Sequence, residues 1–305
     1  MRKGWSDLPH ELLSQIASGL GLIEFLSFRG VCKDWYVASS KLSPEPEDKS
    51  FRSDPWFLIY EGEGSEFSLL TDQDHKPYTI SIPELVGATC LASKEGWLLV
   101  FCCGSLFFFC PFSRAKIELP DCPFNEVTEH VAAFSSAPTS EDCIVAVANR
   151  SKECELHLYT ICRGQKEWAM YDYSRRSKFN IIRSALFYQG EIHFLDGGDG
   201  LVTFNSESKT KESRWKTYSI GPTSDVPASD LLYYELRDNP FQSKYRSKVR
   251  DASLSTCGTI IPHDGGEHDI FPNESIEAEE PSTSRHLKGV WIQPRYIYVP
   301  PGQRW

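Results

Sequence analysis

None of the ten cysteines in this 305-residue chain forms a Cys-x-x-Cys pair; they stand at positions 32, 90, 102, 103, 110, 122, 143, 154, 162 and 257. Several of them sit inside apolar runs, and such cysteines pack as reduced, buried hydrophobes rather than as metal ligands. Positive charge is scarce: 32 Lys and Arg oppose 42 Asp and Glu, for a formal net charge of -10. That balance argues against a general nucleic-acid binder and against an anionic membrane surface as partner. The opening residues, MRKGWSDLPHE, lack the apolar core of a secretory signal, so residence in the cytoplasm, the nucleus or both is expected, with thiols kept reduced. The most apolar run, Leu98 to Phe112, is broken by Gly104, Ser105 and Pro111 and is too short to cross a membrane.

Catalytic grammar is missing as well. His263 and His268 lie among Asp264, Glu267 and Asp269, but their spacing is not His-Glu-x-x-His, and solvated charge is the expected reading. The run Asp196-Gly-Gly-Asp-Gly lacks the Lys-Ser/Thr of a phosphate loop and the twelve-residue calcium pattern, and a hairpin turn accounts for its glycines. Cys102-Cys103 is a conceivable reactive pair, yet its apolar neighbours predict burial and a high thiol pKa. There is no Gly-x-Ser-x-Gly. The chain is therefore expected not to be an enzyme and to need no cofactor or metal.

What is present begins with Trp5 to Ser40, an apolar head with helical spacing. Pro9 suits a first helical turn, and Glu11 there complements the helix dipole. Leu12, Leu13, Ile16, Ala17 and Leu20 mark one broad face, and Gly19 and Gly21 end that helix. Leu22, Phe25, Leu26 and Phe28 mark a second helix; Val31, Cys32, Trp35, Tyr36 and Val37 mark a third. Three such helices carry more apolar surface than they can bury among themselves, and units below roughly 40 residues seldom stand alone. The surplus either packs on the rest of the chain or docks a partner protein.

The ordered set Leu8-Pro9, Leu12-Leu13, Ile16, Leu20, Phe25, Arg29, Val31-Cys32-Lys33 and Trp35 resembles the F-box of plant proteins along the whole stretch. The resemblance implies a three-helix module over residues 1–40 that binds the adaptor Skp1 and, through it, a cullin-RING ubiquitin ligase. It also implies that Leu8, Pro9, Leu12, Leu13, Ile16, Leu20, Val31, Cys32 and Trp35 form the Skp1-binding set, some of them holding the helices together instead. Gly19-Leu20-Gly21 departs from the polar linker usual in such modules.

Residues 41–53, with Pro44 and Pro46 among mixed charges, read as a linker. From Asp54 the period becomes strand-like: Trp56–Tyr60, Glu66–Leu70, Tyr78–Ile82, Trp97–Cys103, Leu106–Phe112, Ala115–Leu119, Cys143–Ala148, Glu155–Cys162, Glu167–Tyr173, Ile182–Tyr188, Glu191–Leu195, Leu201–Phe204 and Trp215–Ile220. Leading strands recur about every 40 to 47 residues, which suits propeller blades better than a sandwich. Gly96-Trp97-Leu98-Leu99 and Gly190-Glu191-Ile192-His193 both open a unit of glycine, strand, tight glycine turn and strand.

That grammar resembles the degenerate propeller of the DUF295 or KIB1-4 β-propeller family over about residues 55 to 220. The expected fold class is α+β and multidomain: a three-helix F-box, then an all-β and incomplete propeller over residues 54–305. Within it, residues 264–284 are rich in Pro, Ser and Glu and read as a disordered loop. Leu231 to Leu236 reads as a strand, and Lys244, Arg246, Lys248 and Arg250 as the wet face of another. Val290-Trp291-Ile292 and Arg295 to Val299 are expected to close the ring against an early blade. The resemblance implies the substrate-receptor subunit of an SCF-type E3 ligase with an unknown protein target on the propeller. Two alternatives stand beside it: a hydrolase built on the propeller, and an F-box scaffold without a degradation target.

Overall fold

The computed structural model describes residues 8–43, 56–61, 64–70, 78–127, 130–152, 155–174, 182–196, 200–206, 208, 214–219, 255–256 and 287–305. Residues 264–284 and the strands expected at 231–236 and 244–250 lie outside them. Three helices, α1 (His10–Ser18), α2 (Leu22–Arg29) and α3 (Lys33–Ala38), are followed by strands throughout. Among the described residues no helix is long and apolar enough to cross a membrane.

The strands are β1 (Trp56–Glu61), β2 (Glu66–Leu70), β3 (Tyr78–Ser81), β4 (Thr89–Lys94), β5 (Trp97–Cys102), β6 (Ser105–Phe109), β7 (Lys116–Glu118), β8 (Val131–Phe134) and β9 (Ile144–Lys152). They continue with β10 (Glu155–Cys162), β11 (Ala169–Ser174), β12 (Ile182–Tyr188), β13 (Glu191–Asp196), β14 (Gly200–Phe204), β15 (Trp215–Ser219), β16 (Ser255–Thr256) and β17 (Leu287–Ile292). They form four separate sheets. Three are simple meanders, β4 to β7, β8 to β11 and β12 to β15. In the remaining sheet β17 lies beside β1, antiparallel from Trp56↔Ile292 to Glu61↔Leu287, and β2 and β3 follow outward. The first blade is thus completed by a strand from the far end of the sequence, as Val290-Trp291-Ile292 predicts.

Leading strands touch one another around the blades: β17 meets β4, β4 meets β8, and β8 meets β12. Two of these, β4 and β8, were not among the strands expected from the sequence. Their residues, Thr-Cys-Leu-Ala-Ser-Lys and Val-Ala-Ala-Phe, show no alternation of apolar and polar positions. Cys90, Leu91 and Ala92 are all buried, as are Ala132, Ala133 and Phe134. Strands covered on both faces lose the period-2 signature.

Two-residue turns set the registers. Glu95 and Gly96 (φ 51° and 82°), Cys103 and Gly104 (51° and 80°), and Gln189 and Gly190 (48° and 80°) each join antiparallel neighbours. Positive φ at both central residues is the pattern of a type I′ turn, whose twist matches that of the flanking strands. The core between the second and third blades centres on Phe108 of β6. Its ring meets Trp97 of β5 (6.4 Å), Phe134 of β8 (5.0 Å) and Trp305 (5.7 Å). Between the third and fourth blades, Tyr173 of β11 stacks on Trp215 of β15 at 4.8 Å and Tyr171 packs on Phe204 at 4.7 Å.

Past β17 the chain leaves the sheet. Arg295 to Val299, expected to be a strand, is instead an irregular strap (residues 293–305) laid over one end of the blades. A Cβ on Gly96 would stand 2.9 Å from Arg295 Cβ, the Cys110 thiol donates to the Arg295 carbonyl (3.4 Å), and Arg163 donates to the Arg304 carbonyl (3.0 Å). This close approach makes a differential test. Gly96→Ala and Gly190→Ala carry the same backbone penalty of about 1–2 kcal/mol, but nothing lies within 4 Å of a Cβ at Gly190. Urea denaturation is expected to show Gly96→Ala as the more destabilising by roughly 1–3 kcal/mol; equal losses would mean that the strap does not press on this turn.

Candidate functional site: the exposed face of the helical head

The head is held together by few but specific contacts. Leu13 and Ala17 of α1, Phe25 and Phe28 of α2, and Ala38 of α3 are buried together. Phe28 packs on Trp35 with ring centroids 4.3 Å apart. Ser14 Oγ donates to the Ala38 carbonyl at 2.7 Å, tying α1 to α3. Arg29 Nη1 donates to the carbonyl and Oγ of buried Ser39 (2.9 and 3.2 Å), tying the end of α2 to the end of α3. Pro9 sits one position ahead of its expected place in the first turn: it is the N-cap residue, and its carbonyl accepts from Leu12 and Leu13 N–H at 3.1 Å each. It has no N–H to leave unpaired there. Cys32 is the extended N-cap of α3, its carbonyl accepting from Tyr36 N–H at 3.0 Å.

One side of the head faces the rest of the chain. Tyr296 of the strap enters the head's core, its ring 4.9 Å from that of Phe25. The Arg29 guanidinium lies 4.2 Å from the Tyr36 ring and 4.8 Å from that of Tyr296, a cation sandwiched between two π faces. Burial raises the Tyr296 phenol above its usual pKa, with the Arg29 charge opposing the rise. Ser43 Oγ accepts from Tyr298 N–H at 2.8 Å, and Leu22 and Leu26 pack against the propeller core. The alternative of a head that packs on its own chain therefore holds for this side.

The other side is open. Of the nine residues singled out in the sequence, Pro9, Leu12, Ile16 and Val31 are exposed, the last three at 47%, 44% and 58%. Leu8, Leu20, Cys32 and Trp35 are half-buried, and Leu13 is fully buried in the head's own core. The broad face expected from Leu12, Leu13, Ile16, Ala17 and Leu20 thus divides: Leu13 and Ala17 point inward, while Leu12 and Ile16, one turn apart, point out. Ile23, Tyr36 and Val37 are also exposed and were not in the expected set. Residue type alone does not separate an apolar side chain of the core from one on the surface; only helix phase does, and six- to nine-residue helices fix phase weakly.

The cysteine pair differs from expectation. Cys103 is exposed and Cys102 half-buried. Burial, then the Cys103 thiol beside it, raises the Cys102 pKa, as expected from its apolar neighbours. Among the described residues no three His, Cys, Asp or Glu side chains form a group able to hold a metal ion.

The strap contact gives a test independent of any partner. Tyr296→Ala is expected to cost roughly 3 kcal/mol, the range for deleting a buried aromatic ring. Hydrogen exchange should accelerate in α2 and α3 but not in β12 to β15; uniform acceleration would show that Tyr296 does not act locally on the head.

Residues 67–256 match the KIB1-4 beta-propeller family and residues 5–45 match the F-box domain. The F-box protein At4g00893 of Arabidopsis thaliana is 31% identical over 207 residues, covering 66% of this chain and 51% of its own length. The F-box/kelch-repeat protein At1g57790 of the same plant is 28% identical over 221 residues, covering 72% and 60%. A third Arabidopsis relative, the F-box protein At3g56470, is 27% identical over 203 residues, covering 65% and 53%. The chain spans only 51–60% of the length of these relatives. With three helices ahead of bladed antiparallel sheets and a family match over most of its length, the chain belongs to the KIB1-4 β-propeller family and carries an F-box domain at its head.

Proposed function

We propose that this protein is the substrate-receptor subunit of an SCF-type E3 ubiquitin ligase. In this reading the head docks a Skp1-like adaptor, which joins it to a cullin-RING ligase, and the propeller holds a protein target for ubiquitination. The observation that carries the reading is where apolar surface is left uncovered. Ten large hydrophobic side chains are exposed among the described residues, and six of them, Leu12, Ile16, Ile23, Val31, Tyr36 and Val37, belong to the 36 residues of the head. Exposed apolar surface so concentrated on one small element fits a protein-docking face, and the element is an F-box.

The chemistry asked of such a receptor is positional. A target lysine held beside the ubiquitin thioester reacts in an effectively intramolecular step, and the raised effective concentration supplies the acceleration. The receptor contributes no reacting group. Its work divides between an apolar face that binds the adaptor and a rigid body that fixes the target's distance from it. Reduced cysteines and the acidic balance fit residence in the cytoplasm or nucleus.

The structure decides which substitutions test the docking face cleanly. Leu12→Asp with Ile16→Asp alters two exposed side chains and leaves the head's core intact. Wild type is expected to co-purify with Skp1, and the double variant to lose at least tenfold in affinity while keeping its thermal unfolding midpoint. Failure of the wild type to bind, or equal binding by the variant, would sink the proposal. Leu13→Ala is the contrasting case: it should lose about 2–5 kcal/mol of stability and weaken binding only through loss of the fold.

A further inference from the structure

We propose that the tip of the β5–β6 hairpin is a two-thiol site for a thiophilic electrophile that takes two sulfurs and brings its own remaining substituent, a monosubstituted trivalent arsenical being the simplest member of that class. The Sγ atoms of Cys102 and Cys103 stand 3.6 Å apart. Two sulfurs bound at about 2.3 Å to one pyramidal or tetrahedral centre, with roughly 95–110° between them, are about 3.4–3.8 Å apart, so the thiols already have the bite of a single bridging atom. A disulfide fits worse. It needs sulfurs at about 2.05 Å and Cα atoms at about 4.4–6.8 Å, whereas consecutive Cα atoms across a trans peptide lie about 3.8 Å apart.

The turn sets where the thiols stand. Cys103 adopts φ 51° ahead of Gly104 at φ 80°. Asparagine, aspartate or glycine suits that position best, and other side chains cost about 1–2 kcal/mol there. Glu95 and Gln189 hold the same position in the sister turns, so the conformation is not peculiar to cysteine; what the turn does is place the Cys103 side chain at the tip, where it is exposed. The site is also free of the head. β5 runs from Trp97, next to Gly96 under the strap, to Cys102, so the two thiols lie at the opposite end of the blade.

The donor count sets the ligand class. The Cys122 thiol is engaged with the carbonyls of Gly104 (3.3 Å) and Phe124 (3.2 Å), whereas Cys102 has only a longer carbonyl contact, to Val86 at 3.7 Å, and the described residues form no group of three or more donors able to hold a metal ion. A four-coordinate cation would find half its shell. A trivalent arsenic that carries one organic group needs two sulfurs and nothing more. The reaction balances without an oxidant: R–As=O and two Cys–SH give R–As(S–Cys)2 and water. Two As–S bonds form, the As=O bond breaks, both thiol protons leave with the oxygen, and no oxidation state changes.

The test is capture of phenylarsine oxide by the full, reduced chain, read by intact mass in the presence of excess 2-mercaptoethanol, which competes with single thiols. One equivalent is expected to bind the wild type and to be released by 1,2-ethanedithiol. Cys102→Ser and Cys103→Ser should each reduce capture at least tenfold, and Cys122→Ser should leave it unchanged. Cys103→Asn suits the turn better than cysteine, so it should fold with an undiminished unfolding midpoint and still lose capture. Absence of the adduct in the wild type, its survival in the Cys102 and Cys103 variants, or its loss on Cys122→Ser would each overturn the two-thiol site.

Discussion

The antiparallel pairing of β1 with β17 is the constraint on which the rest depends. It joins residues 56–61 to residues 287–292 and makes the first blade from both ends of the chain. Buried Val290 and Ile292 come with it, and so does contact between β17 and β4. The same pairing delivers the strap to the end of the blades where the head sits. Without β17 in place, Tyr296 would not reach Phe25, Trp305 would not reach Phe108, and Gly96 would have no neighbour to crowd it. The head is thus held by strap contacts that the β1–β17 pairing brings within reach, with Leu22 and Leu26 adding a direct apolar contact to the propeller core.

This arrangement separates two demands on a very small helical module. A head of 36 described residues cannot supply a self-sufficient core. It borrows one from the strap, whose Tyr296 packs against Phe25 and closes the other side of the Arg29 guanidinium from Tyr36. The borrowed contact frees Leu12, Ile16 and Val31 from internal duty, so apolar side chains remain exposed without the head falling apart. The turn with the two thiols lies at the other end of β5, so the two ends of the blade are chemically unlike: one is covered by the strap, the other presents cysteine.

Much of this was legible in the sequence, and the exceptions share a cause. An outer strand such as Ala169–Ser174 alternates in burial along its whole length and is readable from period alone. The leading strands β4 and β8 are enclosed on both sides and built from small residues, so no alternation marks them. Arg295 to Val299 has the alternating aromatics of a strand, yet its backbone runs as a strap, with Tyr296 in the head's core and the Arg295 carbonyl taken by the Cys110 thiol. On the exposed side of the head, the Leu8-Pro9 to Trp35 pattern identified the module, but not which of Leu12 and Leu13 faces out, because the two adjacent leucines differ only in helix phase. Ile23 and Val37 escaped for the same reason. Cys103 was expected to be buried like the phenylalanines beyond it, and the turn at Gly104 is what brings it to the surface.

The strand that completes the first blade has a consequence for how the protein is made. β1, β2 and β3 leave the ribosome early, while β17 follows after roughly 230 further residues. At about 5–20 residues per second, the edge of β1 waits on the order of 10–50 s for its partner. During that interval it presents unpaired backbone donors and acceptors beside the apolar Phe57 and Leu58, the kind of edge that recruits other chains. Throughout it the head lacks Tyr296. A nascent chain of this design therefore carries an open strand edge until β17 emerges, and its helical head gains Tyr296 only after all the blades have been made.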